Sequence, residues 1–314
     1  MINNHEHEID LQEIFIIIWN SKLKIFSITS LFAIFSIYYA LSLPNFYTSE
    51  AILQINNNEK DSGLSSLTSN LGGISSLAGI SLPSSGNDKT MYVIETVQAR
   101  EFLRHLITFD MILPNIVASK SFDSIDRKII YDEEVYDIDA HKWVRMPTKN
   151  KETIPSYLEA HKFFYMNQFK ILKDKESGFL RVSYTHVSPE FTKFFLNLVI
   201  QELNKLTKEK DLKKSMQLLE YLKDELNLNQ VKEINNSLNN LIEGQLKTVA
   251  LANIKDDYLV TIIDPPFIPE VKSEPSRALI CVLITLIGFV FSICISLLFH
   301  YFSKNSQKKI NNSV

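Results

Sequence analysis

Two long apolar stretches, Ile25 to Leu43 and Ala278 to Phe302, stand near opposite ends of the chain, and neither carries an Asp, Glu, Lys or Arg. A helix of roughly 20 apolar residues crosses a hydrocarbon layer about 30 Å thick, so both read as membrane spans. Everything between them, residues 44–277, must then fold on one side of a membrane and bring its two ends back to the same surface.

Charge sets the expected orientation. Lys22 and Lys24 precede the first stretch, and no basic residue follows it until Lys60; Lys304, Lys308 and Lys309 follow the second, against Lys272 and Arg277 before it. Basic residues flanking spans stay in the cytoplasm, which places tails 1–24 and 303–314 there and 44–277 in the periplasm of a bacterial inner membrane. A cleaved leader ending near Ala40 and Ser42 is the alternative for the first stretch. Against it, a leader core usually follows a short basic start, whereas 24 residues with Glu6, Glu8, Asp10 and Glu13 come first here.

The tails are too short for a catalytic domain, and there is no GxxxxGK[ST] phosphate loop to serve an ATP-dependent kinase. Cys281 and Cys294, the only cysteines, both lie in the second stretch, so no disulfide is expected in the central region. Of 33 Lys and Arg, five lie in the tails, and of 36 Asp and Glu, four, which leaves 28 against 32 between the spans. That balance describes an interspersed soluble surface and excludes a nucleic-acid patch. No GxSxG, HExxH or CxxC is present; catalytic, metal and cofactor residues are all expected to be absent.

Within 44–277 the patterning predicts an α/β base. Glu50 to Ile55 and Tyr258 to Ile263 read as strands at the two ends of the region, placed to share one sheet. Residues 61–87 are rich in Ser and Gly and read as a mobile loop, with a short helix near Leu64 to Leu77 as the alternative. Asp88 is a candidate cap for one helix over Lys89 to Ile107, and Asp110 to Pro155 reads as short helices and loops. Gln168 to Lys173 and Phe179 to His186 flank a turn at Gly178 and form a β-hairpin.

Ser188-Pro189-Glu190 combines a cap, a proline at the first helical position and an acid in the first turn. It opens a long helix over 189–226, with Leu196, Val199, Leu203, Leu206, Leu212, Met216, Leu219, Leu222 and Leu226 in stripes at helical spacing. Asn227 to Gln230 interrupts the pattern, and a second helix over 231–252 can fold back as a helical hairpin. The pair can pack within its own chain or form a seam with other copies; the patterning leaves both open. Segment 264–277 spaces Pro265, Pro266, Pro269 and Pro275 ahead of the second span, which favours a stiff extended approach. In that span Gly288, Ser292 and Ser296 recur every fourth residue, and Thr29 with Ala33 and Ser36 with Ala40 do so in the first. Such spacing permits close helix approach, unless it is chance in an apolar run. No charge inside the spans supports a transporter.

The run Gln245 to Tyr258, followed by Ile263-Asp264-Pro265, Pro269-Glu270 and Pro275-Ser276-Arg277, resembles the end of the bacterial polysaccharide co-polymerases, the Wzz chain-length determinants. Glu8-Ile9-Asp10-Leu11, Trp19, Pro44 and Tyr47 at the front agree, as do Ser177 to Ser183 and Ser188-Pro189-Glu190 in the middle. The resemblance implies an α+β membrane protein with a protruding helical pair, a homo-oligomer that touches membrane lipid, and a non-catalytic scaffold for a membrane-embedded Wzy-type polymerase and its growing glycan. It implies control of O-antigen or lipopolysaccharide chain length. An export adaptor working with a separate tyrosine autokinase and an outer-membrane channel is the second reading, and a ligand sensor a weak third. Pro265, Pro266, Pro269, Pro275, Gly288, Ser292 and Ser296 are the residues expected to position the second span and meet partners.

Overall fold

The computed structural model describes residues 18–56, 86–149, 151–228 and 232–311. Most of the Ser/Gly segment (61–85), the first 17 residues and the break at 229–231 lie outside them. The chain divides into two compact units, residues 45–272 and the pair of termini 1–44 with 273–314.

The central unit is built on a four-stranded antiparallel sheet ordered β6-β7-β1-β8. β1 (Tyr47–Ile55) lies between β7 (Leu180–His186) and β8 (Val260–Asp264), so strands from the beginning, middle and end of the unit meet side by side. β6 (Phe169–Lys173) joins β7 through a turn in which Gly178 takes φ +74°, as a tight connection requires. Alternation is strict on β7: Leu180, Val182, Tyr184 and His186 are buried and face the same side as Ala51 and Leu53 of β1.

That face is covered by α6 (Pro189–Leu228), 40 residues and about 60 Å long at ~1.5 Å per residue. Its start is capped as the sequence predicts: the Phe191 N–H donates to Ser188 Oγ at 3.3 Å. Phe191, Phe195, Leu196, Val199, Ile200 and Leu203 enter the core in its first half. Beyond Thr207 only Ser215, Leu219 and Leu222 are buried, and α7 (Lys232–Ile254) packs along the helix. The two helices extend slightly past the expected 189–226 and 231–252.

The helix expected over 89–107 is two. α2 (Gly86–Gln98) begins before Asp88, so Asp88 is not a cap, and Ala99 at φ −67°, ψ 140° separates α2 from α3 (Arg100–Leu106). The break lets Val93 and Val97 on one side and Phe102, Leu103 and Leu106 on the other all reach the core. The carbonyls it frees are taken up: the Tyr165 hydroxyl donates to Val97 O at 2.7 Å, and the His161 ring lies 3.0 Å from Gln98 O.

Residues 110–155 hold strands as well as the expected short helix. After α4 (Ile112–Ala118), β2 (Ser119–Asp123) pairs with β3 (Lys128–Tyr131), and β4 (Tyr136–Asp137) with β5 (Lys142–Trp143). The β2–β3 turn is set by Asp123, whose carboxylate accepts from the Ile125 and Asp126 N–H groups at 2.8 and 3.3 Å. α5 (Tyr157–Phe163) then leads into β6.

The terminal unit contains α1 (Lys22–Ser42) and α8 (Arg277–Asn311), which pack against each other. α1, and α8 as far as Phe299, are each long and apolar enough to cross a membrane.

Candidate functional site: the paired terminal helices and the proline segment

Small side chains decide how α1 and α8 meet. At Gly288 a Cβ would overlap Cβ and Cγ of Phe32, so glycine is what lets the two helices approach there. Ser292 is fully buried, its hydroxyl 3.4 Å from that of Thr29. Phe32 meets Phe291 edge to face with ring centroids 6.0 Å apart. Farther along, the Cys281 thiol reaches Ser36 O at 3.7 Å, and the Arg277 guanidinium donates to Leu43 O at 3.3 Å.

Two serine hydroxyls in this apolar setting are satisfied within their own helices. Ser292 Oγ donates to Phe289 O at 2.7 Å and Ser36 Oγ to Ala33 O at 2.7 Å, the back-bonding that lets a hydroxyl sit inside an apolar helix. Ser296 is buried on the same face of α8 as Gly288 and Ser292. The structure thus brings Gly288 to Phe32 and Ser292 to Thr29 of α1.

The prolines are divided between the units. Pro265 follows β8 directly; lacking an N–H, it cannot extend the ladder. Pro266 and Pro269 are buried while Pro265 is exposed, and between them Phe267 O accepts a hydrogen bond of 2.7 Å from the fully buried Ser49 of β1. The segment is therefore pinned to the sheet. Pro275, half-buried, belongs to the terminal unit.

Three further polar arrangements hold the central unit, and none was legible as a motif. Asn204 of α6 is buried; its Oδ1 accepts from the Leu259 and Val260 N–H groups at 2.8 and 2.9 Å, and its Nδ2 donates to Val260 O at 2.9 Å. It closes the outer edge of β8 at its first residue. His186 joins three elements: its Nδ1 accepts from the Ser188 N–H at 3.1 Å and its Nε2 lies 2.9 Å from Asn115 O. The ring is neutral in this arrangement, and burial pushes its pKa down to about 4. Arg145 grips Glu159 through both terminal nitrogens at 2.6 and 2.8 Å and also donates to Glu152 O and Thr153 O. The hydrogen bond from Arg145 holds the Glu159 carboxyl below its ordinary range.

Among the described residues no group of three His, Cys, Asp or Glu side chains is placed to hold a metal ion.

Residues 7–108 match the family model described as Wzz, chain length determinant protein. That part of the chain resembles the Wzz family. The matched part includes α1, β1, α2 and α3. No curated protein matches the chain. Among solved structures, a full-length bacterial polysaccharide co-polymerase is similar at 14% identity and a TM-score of 0.37, covering 94% of this chain and 99% of its own. A fragment of WzzB, a polysaccharide co-polymerase from Salmonella Typhimurium, is similar at 15% identity and a TM-score of 0.26, covering 73% and 100%. The family rests on residues 7–108.

Proposed function

We propose that this Wzz-family protein sets the length of an O-antigen or related lipopolysaccharide glycan without performing chemistry itself. The chain sits in the bacterial inner membrane with both tails cytoplasmic and the central unit periplasmic. Several copies assemble so that α6 and α7, a helical hairpin, line a periplasmic scaffold around a membrane-embedded polymerase. The observation that carries this reading is the Wzz domain itself, running from an apolar terminal helix directly into the sheet on which the 40-residue α6 is seated. A long helix whose far half buries few of its own residues suits a scaffold better than a catalyst.

The test is the surface glycan profile of a deletion strain complemented with this chain. Loss of modal length on deletion with total polymer retained, and restoration on complementation, is the expected outcome. Loss of all surface polymer would overturn length control in favour of an export adaptor acting with a separate kinase and outer-membrane channel.

A further inference from the structure

Which face of α8 is left for partners depends on what already occupies its small-residue face. Three pairs of different chemistry meet there. Phe32 lies over Gly288 and against Phe291, Thr29 faces Ser292 through their hydroxyls at 3.4 Å, and the Ser36 carbonyl faces the Cys281 thiol at 3.7 Å. Positions 29, 32 and 36 are one stripe of α1 at spacings of three and four. Their partners run 292, 288 and 281, descending as α1 ascends, and Leu43 with Arg277 continues the same antiparallel register. A register kept over four successive contacts is a specific pairing, and its narrowest point is Gly288.

We propose that Phe32 and Gly288 form a knob and notch that locks the two spans of one protomer together, so that the face Gly288-Ser292-Ser296 is consumed inside the chain. Phe32 is then a positioning residue for length control, and the opposite side of α8, where Ile287 and Val290 lie, is the one left exposed. The atoms a Cβ would meet are Cβ and Cγ of Phe32, which are tied to its backbone and cannot swing away as a side-chain tip can. Any side chain at 288 must therefore push the helices apart.

The pairing itself does not depend on the proposed function, and the experiment keeps the two apart. In full-length protein with Cys281 and Cys294 replaced by Ala, Thr29→Cys and Ser292→Cys are introduced together and the membranes are oxidised. The central region is then cut by protease and the two span fragments are run without reductant. Fragments joined by a disulfide, with no dimer of the uncut chain, are the expected result; a dimer band, or unlinked fragments, overturns the pairing. In the same background Gly288→Leu should abolish the link and Phe32→Ala added to it should restore it, whereas Ile34→Ala, at an exposed position, should not. Failure of Phe32→Ala to restore the link overturns the knob and notch. The same variants read on a glycan gel test the positioning role: a ladder that broadens with Gly288→Leu and returns with the double variant supports it. An unchanged ladder alongside a lost link overturns that role while leaving the pairing intact.

Discussion

His186 makes acid a selective probe of the seam between β7, α4 and α6. The ring is buried, stacked beside Tyr184 at 6.1 Å and edge-on to Phe191 at 4.8 Å. Its Nδ1 must stay unprotonated to accept from the Ser188 N–H, which belongs to the residue that caps α6. With a pKa lowered to about 4 in the fold against 6.5 unfolded, the sign follows directly. Above pH ~6.5 both states are neutral; between 6.5 and 4 the unfolded chain takes a proton that the folded one refuses, so stability falls with falling pH. At ~1.4 kcal/mol per unit the loss from this residue reaches about 3 kcal/mol by pH 4 and levels off below it. That is a large part of the ~5–15 kcal/mol that holds a typical domain. The measurement is urea unfolding of the full-length protein in detergent at pH 7 and pH 4, beside His186→Gln, which cannot titrate. Carboxylates titrate alike in both chains, so the stability difference isolates His186. The wild-type advantage should shrink, or reverse, by about 3 kcal/mol between the two pH values. A difference that stays constant with pH would refute the assignment of a neutral, buried ring.

Asn204→Ala should cost about 3 kcal/mol or more, because it strands the buried Leu259 and Val260 N–H groups and the Val260 carbonyl; amide exchange at Leu259 and Val260 should rise with it, and exchange unchanged there would sink the idea. Arg145→Ala leaves Glu159 ionised in a site that is only 17% exposed, with Lys151 at 3.8 Å as its remaining cation; about 3 kcal/mol is expected. Adding Glu159→Gln should recover part of that in the same denaturation assay, and no recovery would count against a charge-based cost. Ser49→Ala removes the donor to Phe267 O and should cost about 1 kcal/mol. Pro269→Ala with Pro275→Ala should shift or broaden the glycan ladder on a gel, and an unchanged ladder would count against the proline segment as a positioning element.

What could be read in the chain followed how locally each feature is determined. Ser188, Pro189 and Glu190 announce α6 within three residues, and its stripe repeats often enough to survive the polar interval near Lys208 to Lys210. Gly178 marks its turn because φ +74° is open to glycine at no steric cost. The break at Ala99 was hidden because nothing at 97–100 disfavours helix; the cause is tertiary, the need to aim Val97 and Phe102 into one core and the presence of Tyr165 and His161 to donate to the freed carbonyls. β2 to β5 were hidden for another reason: strands of two to five residues are shorter than the window in which alternation can be counted.

The polar anchors were illegible for a reason that applies to positioning proteins generally. Asn204 bonds a backbone carbonyl 56 residues away, His186 one 71 residues away and Arg145 a carboxylate 14 residues away, and a lone Asn on a helix looks the same whether it is solvated or closing a sheet edge. Gly288 was easier to notice, since glycine in an apolar helix costs about 1 kcal/mol relative to Ala and calls for a reason. Spacing alone could say that something approaches closely there, but not what. Phe32 carries no signal of its own among the apolar residues of α1, because a knob is defined only by its notch. The two features at the chain's ends therefore constrain each other: with Phe32 in place, the small-residue face at Gly288 and Ser292 is already occupied within the chain, and the bulkier side of α8 is the one left exposed.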